Sequence, residues 1–212
     1  SEIKALFASG KLSARLDLNS VAEVMLLGPG RTPGCGVFQD VCELPPAHCA
    51  ILDRDGLHVS RYWALCARPF TDTFEQAVEK VRYLVTDAVQ RQLVSDVPVC
   101  TFLSGGLDSS IISSVADREF TARGEQLHTF TVTYKDNDLY FKKSKFQPNS
   151  DSQFVGLMND YLHAQNHLIT LDTEDLVAAL YLAVDARDLP GMADVDSSLL
   201  LFCKEIKKYG TV

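Results

Sequence analysis

A parallel α/β fold is predicted for the larger part of this 212-residue chain. Three observations lead there. From residue 97 onward, short apolar runs of strand character alternate with segments of helical period, the pattern of a parallel sheet with helices on both faces. The first of these strands runs directly into two glycines and a helix, and ligands of such sheets bind beyond the carboxyl ends of the strands, where this turn lies. Residues before about 64 lack the alternation and read as short helices followed by antiparallel strands. A small α+β region over residues 1–68 is therefore expected ahead of the parallel domain, residues 69–212.

Composition narrows the function. With 46% hydrophobic and 23% charged residues the chain is globular and long enough to bury a sizeable core. A net charge of −8 argues against a nucleic-acid surface, and the nearest approach to a basic cluster, Lys142, Lys143 and Lys145, reads as a solvated loop. No apolar stretch is long enough for a membrane span and no signal peptide is recognisable, so a cytoplasmic protein without membrane contact is expected. Cys35, Cys42, Cys49, Cys66, Cys100 and Cys203 contain no CxxC pair and read as free thiols rather than a metal site.

In chain order, residues 1 to about 28 carry two short helical patterns. Ile3, Leu6 and Phe7 form the first apolar face, and Asn19 is the candidate cap of a second helix with Val21, Val24, Met25 and Leu26, closed by Gly28. Glycines and prolines at 28–36 end it. Gly36 to Leu44, His48 to Asp53 and Leu57 to Trp63 are strand-like, the last two joined by Arg54-Asp55-Gly56 as a hairpin turn. His48 and His58 read as structural. Asp72 and Glu75 have capping-box spacing before a long amphipathic helix with Ala77, Val78, Val81, Leu84, Val85, Ala88 and Val89 on one face. After the first parallel strand and its helix, Leu127 to Tyr134 is strand-like, Lys135 to Ser150 a long polar loop, Phe154 to Leu162 helical, His167 to Leu171 strand-like and Leu176 to Val184 helical. A loop from Asp188 to Asp194 precedes a last helix ending near Gly210.

The stretch with chemistry is VPVCTFLSGGLDSS, residues 97–110. Strand, glycine turn and helix in immediate succession aim the N–H groups of Gly105, Gly106 and the helix's first turn at one point, together with the positive end of the helix dipole, and such a point suits a phosphate. Ser104, Ser109 and Ser110 can donate to phosphate oxygens. Asp108 would repel a bare anion, so it makes sense where Mg²⁺ bridges carboxylate and phosphate. This is not a Walker A loop, because no lysine follows the glycines. The bland alternative is an ordinary glycine turn.

SGGLDSS at 104–110 resembles the PP-loop of the ATP pyrophosphatases, and the wider run SDVPVCTFLSGGLDSS resembles the synthetase domain of the glutamine-dependent asparagine synthetases. ELPPAHCAILDRDGLHVSRYW is similar to the last strands of their glutaminase domain. The resemblance implies an adenine-nucleotide α-hydrolase-like sheet preceded by a remnant of an N-terminal-nucleophile glutaminase domain, with ATP and Mg²⁺ as cofactors. By matching, Leu103 and Val132 contact adenosine, Ser104, Gly105, Gly106, Ser109 and Ser110 the pyrophosphate, and Asp108 the metal. For Val132, core packing is the equal alternative. The acidic, proline-containing loop at 188–194 and the helix after it would border the amino-acid substrate, although Leu189 stands where many members have an acid, and for Asp194, Asp196 and Ser197, each taken alone, a helix N-cap is the better reading.

The implied reaction is ATP-dependent amide formation: the aspartate side chain is activated as an acyl adenylate with loss of pyrophosphate, and ammonia derived from glutamine attacks it. Partners would be ATP, aspartate and ammonia or glutamine, with a homodimer among the options for assembly. The resemblance spans nearly the whole chain but only the middle of the family, without the nucleophilic cysteine or the second Ser-Gly-Glu-Gly-Ala-Asp type motif. The chain is accordingly expected to be a fragment that binds Mg²⁺-ATP weakly and makes no asparagine, and no catalytic residue is assigned within it. A β-lactam synthetase-like enzyme and a nucleotide-binding module without catalysis are the rival readings, and a structural protein that has lost the site is a third.

Overall fold

A computed structural model describes residues 2–140 and 151–211. The chain divides into two compact units, residues 1–70 with 180–196, and residues 71–179 with 197–212. The first unit is thus discontinuous, where the sequence suggested one cut near residue 68.

In the first unit, α1 (Ile3–Ala8) and α2 (Leu18–Leu27) precede an antiparallel hairpin of β1 (His48–Asp53) and β2 (Gly56–Arg61). Asp53 pairs with Gly56 across Arg54-Asp55, and Gly56, just after the turn, has a φ of 124° that glycine adopts without strain. Two details differ from expectation. The cap of α2 is Asp17, not Asn19: its carboxylate accepts from the Ser20 N–H at 2.8 Å while Ser20 Oγ accepts from the Asp17 N–H, a reciprocal box. Gly36 to Leu44 is not a strand. Gly36 lies so close against the Val41 backbone that a side chain would not fit, and Val37 and Asp40 have positive φ, so the segment doubles back with a single bridge between Cys35 and Cys42.

The second unit opens with α3 (Phe74–Gln92), capped by Thr73 and Gln76 rather than by Asp72 and Glu75. Asp72 instead pairs with Lys80 at 3.3 Å. Then follow β3 (Cys100–Phe102), α4 (Leu107–Ala122), β4 (His128–Tyr134), α5 (Asn137–Tyr140), α6 (Asp151–Tyr161), β5 (Gln165–Leu171), α7 (Thr173–Arg187) and α8 (Ala193–Lys207), the end of α7 from residue 180 and the start of α8 through residue 196 being counted with the first unit. Of the polar loop expected after Tyr134, residues 137–140 are the short α5, and 141–150, with Lys142, Lys143 and Lys145, lie outside the described residues.

Strands β3, β4 and β5 form a parallel sheet in that order, with Phe102 opposite Phe130 and Phe130 opposite His167. Strand alternation sorts the side chains onto two faces. Phe130, Val132, Ile169 and Cys100 pack against Phe202 and Ile206 of α8. On the other face Leu103 packs against Val155 of α6, and Thr101 meets Ser113 of α4, Oγ to Oγ, at 2.8 Å. Helices therefore cover both faces. Leu103, Leu127 and Phe130 are wholly buried, each contributing roughly 1.5–3 kcal/mol.

Among the described residues, no helix is long and apolar enough to cross a membrane, no group of three or more His, Cys, Asp or Glu side chains is placed to hold a metal, and no disulfide links the cysteines.

Candidate functional site

The Ser-Gly-Gly turn leaves the sheet at the carboxyl end of β3 and enters α4 with Gly106 at its N-cap. Gly105 has φ +83°, and a β-carbon there would stand 2.7 Å from the Asp151 carbonyl oxygen and 3.2 Å from Cβ of Phe154. Both conditions require glycine. The turn is thereby seated against the first turn of α6, which no periodicity in the sequence shows.

Four backbone donors of the turn have no acceptor. Among the described residues, the N–H groups of Gly105, Leu107, Asp108 and Ser109 make no hydrogen bond, as expected of a first helical turn. The hydroxyls are engaged within the loop: Ser109 Oγ donates to the Gly106 carbonyl (3.1 Å) and lies 3.0 Å from Ser104 Oγ, and Ser110 Oγ donates to the same carbonyl (2.7 Å). Ser104 Oγ accepts a long bond, 3.4 Å, from the Gly106 N–H, and Ser109 Oγ accepts one, 3.3 Å, from the Ser104 N–H. An incoming anion meets open amides directly but must turn these hydroxyls toward itself. Asp108 is exposed at the head of α4. Its carboxylate and the serine hydroxyls of the turn are all oxygen donors, the ligand type that Mg²⁺ takes.

Ser104, Gly105, Gly106, Asp108, Ser109 and Ser110 are thus gathered on one turn. Leu103 and Val132 are not on its surface. Leu103 is wholly buried, its N–H donating to the Phe130 carbonyl at 2.8 Å and its carbonyl accepting from Thr131 Oγ1 at 2.7 Å. Val132 is half-buried in the α8-side cluster. Alternation puts the two side chains on opposite faces of the sheet, so a single ligand can reach both only over its carboxyl edge.

Beside Tyr134, Lys135 donates to Asp172 at 2.7 Å; that bond raises the pKa of the lysine and holds the Asp172 carboxyl below its usual range. Tyr134 Oη lies 2.8 Å from Ser198 Oγ of α8.

The acidic loop near residue 190 belongs to the first unit, and Asp188 and Asp196 at its two ends both have partners. Asp188, at φ +67°, accepts from the N–H groups of Ile3 (2.5 Å) and Lys4 (3.2 Å) and pairs with Lys4 Nζ at 3.0 Å, closing the start of α1. Burial acts to raise its pKa, but the bonds from Lys4 and Ile3 outweigh that and hold it below the usual carboxylate range. Asp196 is no helix cap: it lies inside α8, buried, in an ion pair with Arg187 that leaves no room for a side chain at Gly191. An apolar cavity of about 290 Å³ borders this pair, walled by Leu180, Val184 and Pro190.

Fold and turn together define an α/β protein with a Ser-Gly-Gly loop, its first-turn amides without hydrogen bonds, at the carboxyl edge of a parallel sheet. The family model described as Asparagine synthase matches residues 80–212, and the chain belongs to that family. Asparagine synthetase 3 (glutamine-hydrolyzing) of Bacillus subtilis (strain 168) is 50% identical over 209 residues, which are 98% of this chain and 34% of that protein. Putative asparagine synthetase 2 (glutamine-hydrolyzing) of Methanocaldococcus jannaschii is 29% identical over 171 residues, 79% of this chain and 30% of its own length. Amidase chry2 of Gibberella zeae is 28% identical over 173 residues, 73% of this chain and 25% of its own. The chain spans about a third or less of each of these relatives.

Proposed function

We propose that this chain contributes the nucleotide-binding part of an asparagine synthetase-like, ATP-dependent amidoligase. The observation that carries the reading is the set of amides without hydrogen bonds at Gly105, Leu107, Asp108 and Ser109 on a turn that requires glycine at 105. In this reading those amides and the hydroxyls of Ser104, Ser109 and Ser110 grip the β- and γ-phosphates, and Gly106 lets the chain approach them closely. Asp108 holds Mg²⁺. Val132 borders the adenosine at the edge of the sheet, and buried Leu103 supports that end from beneath.

The residues then act on one step. A side-chain carboxylate oxygen of aspartate attacks the α-phosphorus, the bond to the β-phosphate bridging oxygen breaks, and pyrophosphate departs into the turn, where fixed amides meet the charge as it develops. Mg²⁺, when bound, neutralises part of that charge. Ammonia then attacks the acyl carbon, AMP leaves, and the amide remains after loss of a proton. For this step the chain's assigned residues supply binding and no acid or base. Ammonia drawn from glutamine, the small first unit as part of a glutaminase domain, and a cytoplasmic setting belong to the same proposal.

Calorimetry with Mg²⁺-ATP tests it. The chain is expected to bind, and the Asp108→Ala, Gly106→Val double variant to lose the heat of binding; equal traces overturn the reading. With aspartate, Mg²⁺-ATP and ammonium, the chain is expected to give no asparagine, read by amino-acid analysis. Asparagine formed at a rate proportional to the protein would refute that part.

A further inference from the structure

The geometry points to Thr131, supported by Asn166, as a positioning residue that sets the direction of the Ser-Gly-Gly turn; we infer this on the strength of that turn being the phosphate site. The pairing of β3 with β4 runs through Phe102, and the Leu103 N–H still donates to Phe130. At the next acceptor the ladder gives way. The Leu103 carbonyl takes the Thr131 hydroxyl at 2.7 Å, a bond buried in the α4- and α6-side face. A peptide unit is planar, so the Leu103 carbonyl and the Ser104 N–H turn together. That peptide is held at both ends, by Thr131 at its oxygen and by Ser109 Oγ, 3.3 Å away, at its nitrogen.

Thr131 is in turn oriented. Its oxygen accepts from Asn166 Nδ2 at 3.0 Å, and the same amide group donates to Thr129 Oγ1 at 2.9 Å. With its oxygen lone pairs facing Asn166, the Thr131 proton is directed at Leu103. Buried hydrogen-bonded chains of this kind fix one geometry where a valine would fill the space but direct nothing. The threonines at 129 and 131, alternating with Phe130 and Val132, therefore do more than satisfy strand preference.

Amide hydrogen exchange followed by NMR, without ligand, decides the matter. Thr131→Val should speed exchange at Leu103 and Ser104 by about fivefold, the size of one neutral hydrogen bond, and leave β1 and β2 unchanged. Thr131→Ser, which keeps the hydroxyl, should restore protection. Asn166→Leu, remote from the turn, should give a smaller acceleration at the same two amides and serves where the valine variant does not fold. Wild-type exchange at Ser104 in both Thr131→Val and Asn166→Leu, or failure of the serine to restore protection, overturns the assignment. Titration of the same proteins with Mg²⁺-pyrophosphate should show the valine variant about fivefold weaker, by the same hydrogen-bond arithmetic. No binding by the wild type would remove the phosphate-site reading alone, because the exchange rates still decide what Thr131 does.

Discussion

Gly105 shows how much one absent side chain accomplishes. A β-carbon there would strike the Asp151 carbonyl, and the backbone lies at φ +83°. Gly105→Ala is therefore expected to lower stability by about 1–3 kcal/mol through strain and to abolish nucleotide binding, as read by urea midpoint and calorimetry. Titratable residues give two more expectations. Asp188 has its pKa depressed in the fold, so the stability it contributes is present above its unfolded value and fades as pH falls through the folded one. Thermal midpoints measured from pH 6 down to pH 3 should drop more steeply for the wild type than for Asp188→Asn. Burial pushes the Cys100 thiol up, and Cys203 likewise. Iodoacetamide at pH 8 should accordingly label exposed Cys42, Cys49 and Cys66 before Cys100, read by peptide mass spectrometry. The loop's place between strand and helix was legible because two glycines interrupt an apolar run just ahead of a helical period. The part of Thr131 was not, because a threonine in a strand looks the same whether its hydroxyl is idle or engaged.

At the level of elements, the alternation of strand and helix in the second unit was readable because hydrophobic period is a local signal and the sheet is built in chain order. Errors arose where one local signal competed with another. Asp72 and Thr73 both head plausible capping boxes; Thr73 wins because Gln76 completes its box and Lys80 draws Asp72 away. Thr73→Ala should therefore destabilise the unit by about 0.5–2 kcal/mol and Asp72→Ala by less, in parallel urea titrations. Gly36 to Leu44 failed as a strand because its glycine packs on Val41, a contact that no strand pattern reveals.

For the molecule as a whole, burial is uneven. No residue of the 19-residue helix α3 is buried, and Leu52, Leu57, Tyr62 and Trp63 in and beside the hairpin are exposed by more than half. Apolar surface of that extent is unusual on a monomer, and the chain is expected to bind the dye ANS in its native state and to elute earlier as its concentration is raised in gel filtration. The division into units was legible only in part, since the first unit recruits residues 180–196 from far along the chain.

The carboxylate of Asp188 grips the amides of Ile3 and Lys4 across an interval of 185 positions. During synthesis the opening helix leaves the ribosome long before its fastener does. Its residues must wait, unsecured, while the whole stretch between the two is made, and any shortening that removes the fastener should leave that helix frayed while the sheet stands.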